Sequence, residues 1–263
     1  MTDAALDLFA KEYARHRAEE GRGYSGETLL QLPYIEAGPH AAQWRVRART
    51  YERFMHMLRF RSAQLGRRLT FLDLGAGNGW LSYRVALEGH YAFALDIRSD
   101  SIDGLGAARS FLRRVDGMEC IVAPFDAVPL PSASIDVAAF NASLHYATDL
   151  RKALREAARV TRRGGLIAIL DSPFYPREAD GLAMVAEKTG SAREQFGPRA
   201  QALMGLPFIE FLTHERLRRA VPELAWERHR VSYPFAYELR PLWAALKGMR
   251  RRSRFDLWVA RRP

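Results

Sequence analysis

The stretch Leu69-Thr-Phe-Leu-Asp-Leu-Gly-Ala-Gly-Asn-Gly-Trp80 decides the fold of this chain. Its first half is short and apolar, which is typical of a strand that is covered on both faces of a parallel sheet. Three alternating glycines follow, and the next residues take up helical spacing, with Leu81, Val85 and Ala86 on one side. The order strand, glycine turn, helix predicts a loop that approaches a ligand closely, because glycine lacks a Cβ and adopts positive φ at little cost.

The loop also discriminates between classes of nucleotide ligand. A dinucleotide-binding loop spaces its glycines as G-x-G-x-x-G, whereas Trp80 occupies the place of the third glycine here. Asp73 lies just ahead of the first glycine, where a carboxylate would repel a pyrophosphate and attract the ammonium of an amino acid. The loop therefore favours a cationic nucleoside that carries an amino acid over NAD.

Two further apolar segments lead to an acidic residue. Tyr91-Ala-Phe-Ala-Leu-Asp96 places Asp96 at roughly the twenty-residue distance expected of a ribose-binding carboxylate. In Glu119-Cys-Ile-Val-Ala-Pro-Phe-Asp126 an acid again follows a strand, and Asp126 is able to accept a hydrogen bond from an exocyclic amine such as that of adenine. The alternatives are a helix cap for Asp96 and an ordinary turn for Asp126.

These segments together resemble the class I S-adenosylmethionine-dependent methyltransferases, in particular the small Rossmann-like methyltransferases that act on metabolites and related substrates. The resemblance covers roughly residues 69–171 and rests on Asp73-Leu-Gly-Ala-Gly-Asn-Gly79, Asp96, Phe125-Asp126, Asn141 to Tyr146 and Arg163-Gly-Gly-Leu166, with Phe255 to Arg261 as the final strand. It implies a doubly wound α/β fold with a mostly parallel seven-stranded sheet, helices on both faces and an antiparallel last strand.

The resemblance implies a cofactor as well. S-adenosyl-L-methionine would be the methyl donor and S-adenosyl-L-homocysteine the product. The first loop would hold the methionine part, Asp96 the ribose hydroxyls and Asp126 the adenine. The predicted cofactor-binding residues are Asp73, Gly75, Ala76, Gly77, Asn78, Gly79, Trp80, Asp96, Ile97, Phe125, Asp126 and Asn141.

The chain divides into four predicted segments. Residues 1–68 form a helical cap or lid, and residues 69–171 form the cofactor-binding core. Residues 172–212 are an insertion on the substrate side, rich in aromatic residues and methionine. Residues 213–263 complete the sheet and carry a basic tail.

Within the first segment, one helix carries an apolar stripe that predicts a packing surface. The stripe consists of Trp44, Ala48, Tyr51, Met55 and Leu58. Arg45, Arg49 and Arg53 line the neighbouring side, where a solvated face is favoured over one that meets an anion. Residues 24–39 are interpreted as a lid over the cofactor, with Tyr34 either contacting the substrate or, as the favoured alternative, packing as a buried aromatic.

The core alternates strands and helices, which predicts a parallel sheet. Residues 135–141 form the fourth strand, Asp149 caps a helix that runs through Val160, and Gly164-Gly165 ends this helix before the fifth strand, residues 166–171. Ligands bind outside the carboxyl ends of such strands. The polar residues expected to meet at this edge are Asp73, Asp96, Asp126, Asn141 and Asp171.

Methyl transfer from a sulfonium mainly requires alignment of the acceptor and exclusion of water. A general base helps where the acceptor is a hydroxyl or a protonated amine. His145, just past the fourth strand, is the candidate catalytic base, with shaping of the cofactor pocket as the favoured alternative. The insertion suits an apolar or planar small-molecule acceptor that is methylated on O, N or C.

The net charge of +10 gives the main rival function. Residues 213–263 hold thirteen Lys and Arg against five acidic residues, and residues 247–254 follow an apolar stretch in a pattern compatible with an amphipathic helix. Such a tail would suit RNA phosphates or, more weakly, an anionic membrane surface, whereas arginine-rich coding would explain it without a partner. An RNA-directed methyltransferase and a non-catalytic cofactor-binding partner subunit are therefore the alternatives.

The composition sets the remaining expectations. A chain of 263 residues, 48% of them hydrophobic, fits one domain with additions. The single cysteine, Cys120, excludes an internal disulfide and a cysteine-cluster metal site, and no metal is predicted. The sequence shows neither a spanning apolar run nor a signal peptide, so a cytoplasmic protein is expected. No pattern indicates an oligomeric state.

Overall fold

The computed structural model describes residues 3–238 and 250–263, and the centre of this described part is a seven-stranded sheet. The strands are β1 (Thr70–Leu74), β2 (Tyr91–Asp96), β3 (Met118–Val122), β4 (Ile135–Asn141), β5 (Thr161–Leu170), β6 (Trp226–His229) and β7 (Leu257–Arg261). Their order is β3-β2-β1-β4-β5-β7-β6, and β7 runs antiparallel to both of its neighbours while the other pairs are parallel. The predicted α/β fold with an antiparallel last strand is confirmed.

Helices surround the sheet. Those of the described residues are α1 (Asp3–Glu19), α2 (Gly26–Gln31), α3 (Ala41–Leu65), α4 (Trp80–Leu87), α5 (Arg109–Leu112), α6 (Leu150–Val160), α7 (Glu178–Phe196), α8 (Ala200–Met204), α9 (His214–Ala220) and α10 (Phe235–Glu238). None of them is long and apolar enough to cross a membrane.

The core lies on both faces of the sheet, because successive side chains of a strand point to opposite sides. Phe71 of β1 belongs to the cluster under α3 and α4, and Leu72 belongs to the cluster under α6 and α9. Both side chains are fully buried. The interpretation of β1 as a strand covered on both faces is confirmed.

The long helix α3 behaves as its pattern predicts. All five residues of the predicted apolar stripe are buried against the core. Arg45, Arg49 and Arg53 are exposed, so the solvated face favoured from the sequence is what the structure shows.

One predicted boundary is wrong. Asp149 caps α6 as expected, since its Oδ1 accepts a hydrogen bond of 3.0 Å from the amide of Lys152. However, β5 begins at Thr161, directly after α6, so Gly164-Gly165 lies inside the strand and does not end the helix. The two glycines form a bulge, with Gly164 at φ +72° and the pairing of β4 with β5 shifted beside them.

Candidate functional site

A cleft opens at the carboxyl edge of the sheet, where β1, β2 and β4 end. Its floor is the loop between β1 and α4, and α1 lies across it. The cleft encloses about 1170 Å³, including the open space at its mouth.

Ten of the twelve predicted cofactor-binding residues line this cleft. They are Gly75, Ala76, Gly77, Asn78, Trp80, Asp96, Ile97, Phe125, Asp126 and Asn141. The other two do not line the cleft, since Asp73 lies in β1 behind the loop and Gly79 is the last residue of the loop. Gly79 packs against the core, where an added Cβ would stand 2.8 Å from the Cε of Met118.

The glycine loop is held tightly against its surroundings. Gly75 has φ +77°, and a Cβ built on it would lie 2.5 Å from the Cβ of Ser143. Ser143 itself donates a hydrogen bond from Oγ to the carbonyl of Leu74. Gly77 has φ +58° and faces the cleft. Residues with side chains would therefore either strain the loop or fill the space that a ligand needs.

Asp96 fixes the loop and still faces the cleft. Its carboxylate accepts hydrogen bonds from the backbone amides of Gly77 at 2.7 Å and Arg98 at 2.8 Å. Burial raises the pKa of this carboxyl above its ordinary value, while the two amides act in the opposite direction. Each carboxylate oxygen keeps a free lone pair, so Asp96 can accept hydrogen bonds from ligand hydroxyls.

Asp73 is a fully buried acid directly behind the loop. Its Oδ2 accepts a hydrogen bond of 3.3 Å from the hydroxyl of Ser82, and its Oδ1 has no hydrogen-bond partner among the described residues. Burial raises the pKa of Asp73 to about 7. A buried carboxyl in this state is stabilised by a proton or by a nearby cation. The position therefore favours a cationic ligand in front of the loop.

Asp126 and Phe125 stand at another part of the cleft. Asp126 is partly exposed and pairs with the ammonium of Lys152 at 3.0 Å through Oδ2. The ring of Phe125 packs edge-on against Phe140, with 5.7 Å between centroids. A flat group bound here would meet an aromatic ring and a carboxylate together.

Arg47 of α3 is a residue of the cleft that sequence reasoning missed. Its guanidinium donates to Asp171 at 3.1 Å and to Asn141 at 3.2 Å, and so joins the ends of β4 and β5. It also lies over the rings of Trp44 at 4.5 Å and Trp80 at 5.4 Å. The signal was present, because Arg47 follows Trp44 by three residues and so shares its buried face.

The residues of α1 that line the cleft were missed as well, although α1 falls within the predicted cap of residues 1–68. Leu6, Phe9, Tyr13 and Arg17 recur at steps of three and four residues, and all line the cleft from one helix face. Arg17 is fixed by a hydrogen bond of 2.7 Å to Asp103.

Within the predicted cap of residues 1–68, the element that lies across the cleft is thus α1, whereas residues 24–39, interpreted as a lid, do not line it. Tyr34 of that segment is 45% exposed and does not line the cleft. Its ring packs against Tyr51 at 5.9 Å between centroids, which agrees with the favoured packing role, although the side chain is not fully buried.

The insertion contributes to the cleft through Phe208. The ring of Phe208 lies 4.7 Å from that of Phe9, so the insertion and α1 meet above the site. Phe174 of the insertion instead stacks on Trp258 of β7 at 4.7 Å and belongs to the core.

His145 does not line the cleft. It lies in the turn Leu144–Tyr146, with its ring 4.3 Å from that of Tyr146 and its Nδ1 3.5 Å from the hydroxyl of Ser172. Burial, together with the charge of Lys188, lowers its pKa to about 3, so the imidazole is neutral at physiological pH. Its contact with the cleft passes through Tyr146. Within the described residues, no three His, Cys, Asp or Glu side chains are grouped so as to hold a metal ion.

Known proteins share this sequence pattern. A family model described as a methyltransferase domain matches residues 72–169. A malonyl-[acyl-carrier protein] O-methyltransferase from Erwinia pyrifoliae is 32% identical over 106 residues, which are 40% of this chain and 38% of that protein. The chain thus matches about two fifths of the length of that relative. A 27-O-demethylrifamycin SV methyltransferase from Amycolatopsis mediterranei is 30% identical over 216 residues, 79% of this chain and 75% of the relative.

The fold is shared with solved structures too. An S-adenosylmethionine-dependent methyltransferase from Thermotoga maritima has a TM-score of 0.55 over 97% of this chain and 100% of its own, at 12% identity. At that identity the likeness shows the fold alone. The family follows from the methyltransferase model over the core and from the long match to the rifamycin-modifying relative: this chain belongs to the S-adenosylmethionine-dependent methyltransferases of the class I, Rossmann-like fold.

Proposed function

We propose that this protein transfers the methyl group of S-adenosylmethionine to an O, N or C nucleophile of a small, largely apolar molecule. The observation that carries the proposal is that one cleft has both a polar and an apolar part. The glycine loop and Asp96 give it a polar part, and aromatic side chains from α1 and the insertion give it an apolar part. A charged cofactor and an apolar acceptor would fill these two parts.

The residues of the polar part fit the cofactor. Asp96 would accept hydrogen bonds from the ribose hydroxyls, and Phe125 with Asp126 would hold the adenine ring and its amine. The positive-φ glycines let the backbone approach the methionine part, and the unpartnered oxygen of Asp73 supplies negative charge behind it. When bound, S-adenosylmethionine supplies a methyl group that is already activated on its sulfonium.

The protein's own contribution is then alignment and exclusion of water. Arg47 holds Asn141 at the end of β4, so this amide has a fixed direction in the cleft. Phe9 and Phe208 close the site from opposite segments and keep its apolar part dry. His145, neutral and outside the cleft lining, supports the shape of the turn that carries Tyr146.

Isothermal titration with S-adenosylmethionine and, separately, with NAD tests the cofactor. We expect binding of the methyl donor alone, and binding of NAD alone would contradict the proposal. Incubation with methyl-labelled cofactor and pooled apolar metabolites then tests transfer. Cofactor binding without label transfer to any acceptor would favour the alternative of a non-catalytic partner subunit.

An RNA-directed methyltransferase depends on the basic tail. Of the predicted amphipathic stretch, the part with Leu242, Trp243 and Lys247 lies outside the described residues, and residues 250–254 are not helical. In the described part of the tail, Arg250 pairs with Glu187 at 2.9 Å and Arg254 with Glu238 at 3.3 Å, so these charges are matched within the molecule. Binding of RNA whose affinity falls steeply between about 50 and 200 mM salt would favour this alternative.

A further inference from the structure

Four aromatic rings from three separate segments meet where α1 crosses the cleft. Phe9 and Tyr13 come from α1, Tyr146 from the turn after β4, and Phe208 from the insertion, and all four line the cleft. The ring centroids of neighbouring members lie 4.7 to 5.6 Å apart. We call this cluster the aromatic wall. It offers an apolar surface made of aromatic rings, on which a flat molecule can pack.

Two hydroxyl groups interrupt the aromatic wall. The Oη atoms of Tyr13 and Tyr146 lie 3.0 Å apart and share a hydrogen bond. Each phenol carries one proton, so the bond between them uses one proton and leaves the other free to donate. Within residues 3–238 and 250–263, neither hydroxyl has a further hydrogen-bond partner. Both residues line the cleft, so an acceptor for the remaining proton would come from a ligand bound there.

The surroundings keep Tyr146 in its donating form. Burial, together with the neighbouring Tyr13, raises the pKa of Tyr146 well above its ordinary value, so this phenol stays protonated. The guanidinium carbons of Arg98 and Arg17 lie 5.0 Å and 5.9 Å from the centre of the Tyr13 ring. Positive charge at this distance favours an oxygen with partial negative charge at the end of the hydroxyl pair.

We propose that the Tyr13–Tyr146 hydroxyl pair is the polar anchor of the acceptor site. The acceptor is then an apolar ring compound whose hydroxyl or carbonyl oxygen receives the free proton of the pair while its rings pack on the aromatic wall. This inference rests on the proposed function, since an acceptor site requires a methyl donor beside it. A site built to hydrogen-bond an oxygen rejects the analogue that lacks it.

The test compares 2-naphthol with 2-methylnaphthalene, two probes of similar shape, on protein saturated with S-adenosylhomocysteine. Affinities are measured by fluorescence titration. The preference is the ratio of the affinity for 2-naphthol to the affinity for 2-methylnaphthalene. One neutral hydrogen bond is worth roughly fivefold in affinity, so this ratio should be about fivefold higher in the unchanged protein than in the double variant Tyr13→Phe/Tyr146→Phe. The double variant should keep its affinity for 2-methylnaphthalene and for S-adenosylhomocysteine. The single variant that loses more preference identifies the tyrosine that donates to the acceptor.

Two controls separate the anchor from other effects. Tyr34→Phe removes a tyrosine hydroxyl outside the cleft and should leave the preference unchanged. Phe208→Leu should weaken both probes by the same factor, because it shortens the aromatic wall without touching the hydroxyls.

Several outcomes would overturn the inference. These are a double variant with the same preference as the unchanged protein, an unchanged protein that binds S-adenosylhomocysteine but neither probe, and a double variant that loses S-adenosylhomocysteine together with both probes. The last result would mean that the hydroxyl pair holds α1 in place and does not serve as the anchor of the acceptor. Failure of the unchanged protein to bind S-adenosylhomocysteine would instead refute the proposed function itself, and the anchor with it.

Discussion

Replacement of Arg47 by methionine tests whether this arginine holds the ends of β4 and β5 together beside the cleft. The guanidinium donates to Asp171 at 3.1 Å and to Asn141 at 3.2 Å, and the side chains of Arg47 and Asp171 are 16% and 6% exposed. Methionine keeps an unbranched stem against Trp44 and Trp80 but leaves a buried carboxylate without its cation. Removal of one partner from a buried ion pair costs roughly 3–5 kcal/mol, and we expect the free energy of unfolding to fall by about that amount.

The second substitution, Asp171→Asn, removes the charge that Arg47→Met leaves unpaired. The double variant should therefore be more stable than Arg47→Met alone, by at least about 1 kcal/mol, although it carries one more change. Burial already raises the pKa of Asp171, and Arg47 opposes that shift. In Arg47→Met the pKa rises further. Because the folded state then binds the proton more tightly than the unfolded state, the loss of stability should shrink as the pH falls from about 8 to about 5.

Urea unfolding followed by circular dichroism measures these effects. Arg45→Met is the matched control, since Arg45 lies on the same helix but is exposed to solvent. It should change stability by less than about 0.5 kcal/mol. The reasoning is refuted if Arg47→Met stays within about 1 kcal/mol of the control. It is also refuted if the loss in the double variant equals the sum of the two single losses.

Three further predictions concern the polar part of the cleft. Asp96→Ala should weaken binding of S-adenosylhomocysteine by about 1.5–3 kcal/mol in isothermal titration, through loss of hydrogen bonds to a charged acceptor. Unchanged affinity would mean that Asp96 does not hold the ribose. Gly77→Val should abolish binding, because φ at Gly77 is +58° and a Cβ added there would lie 3.3 Å from the carbonyl oxygen of Asp103. Gly89→Val, at φ +83° with no atom within 4 Å, shares the backbone strain outside the cleft and should retain binding. If both glycine variants retain binding of S-adenosylhomocysteine, the loop is not part of the binding site. The third prediction concerns pH: the ordinary pKa of Asp73, 3.8, is raised to about 7 in the folded protein. The ligand-free protein should lose up to about 4 kcal/mol of stability as the pH rises from about 4 to about 7, since only the folded state keeps this proton there. Asp73→Asn should flatten that slope in urea unfolding, and an equal slope in both proteins would contradict the assignment.

The parts of the site that the sequence predicts are those set by local order along the chain. Asp96 and Asn141 each stand at the end of an apolar strand, and parallel strands bring their carboxyl ends to one edge without any further information. The spacing of the glycines in the first loop is enough to predict that the backbone approaches a ligand closely. For this reason the sequence alone places the edge of the sheet and ten of the twelve residues proposed to bind the cofactor, which line one cleft.

The apolar part of the cleft could not be placed in this way. Tyr13 and Tyr146 are 133 residues apart in sequence, and nothing in either segment specifies the other. Phe208 stands among many aromatic residues of the insertion, and Phe174, which the pattern does not distinguish from it, belongs to the core. Arg47 is different, since helical spacing places it beside Trp44. It was overlooked because arginines on a helix usually mark the solvated side.

The arginine content bears on the choice between a small molecule and RNA as the acceptor. Several arginines donate to buried acceptors of the protein itself. Arg84 binds the carbonyl oxygens of residues 30 and 32, Arg67 makes two bonds to the carboxylate of Asp136, and Arg159 binds the carbonyl oxygens of residues 128 and 130. The bonds of Arg84 and Arg159 join helices to neighbouring segments, and those of Arg67 join a loop to the sheet. Arginines held in this way have a structural role, so a net charge of +10 is not by itself evidence of a surface that binds phosphates. The acceptor is better sought through the chemistry of the cleft, where we propose that the aromatic rings and one unshared phenolic proton select it.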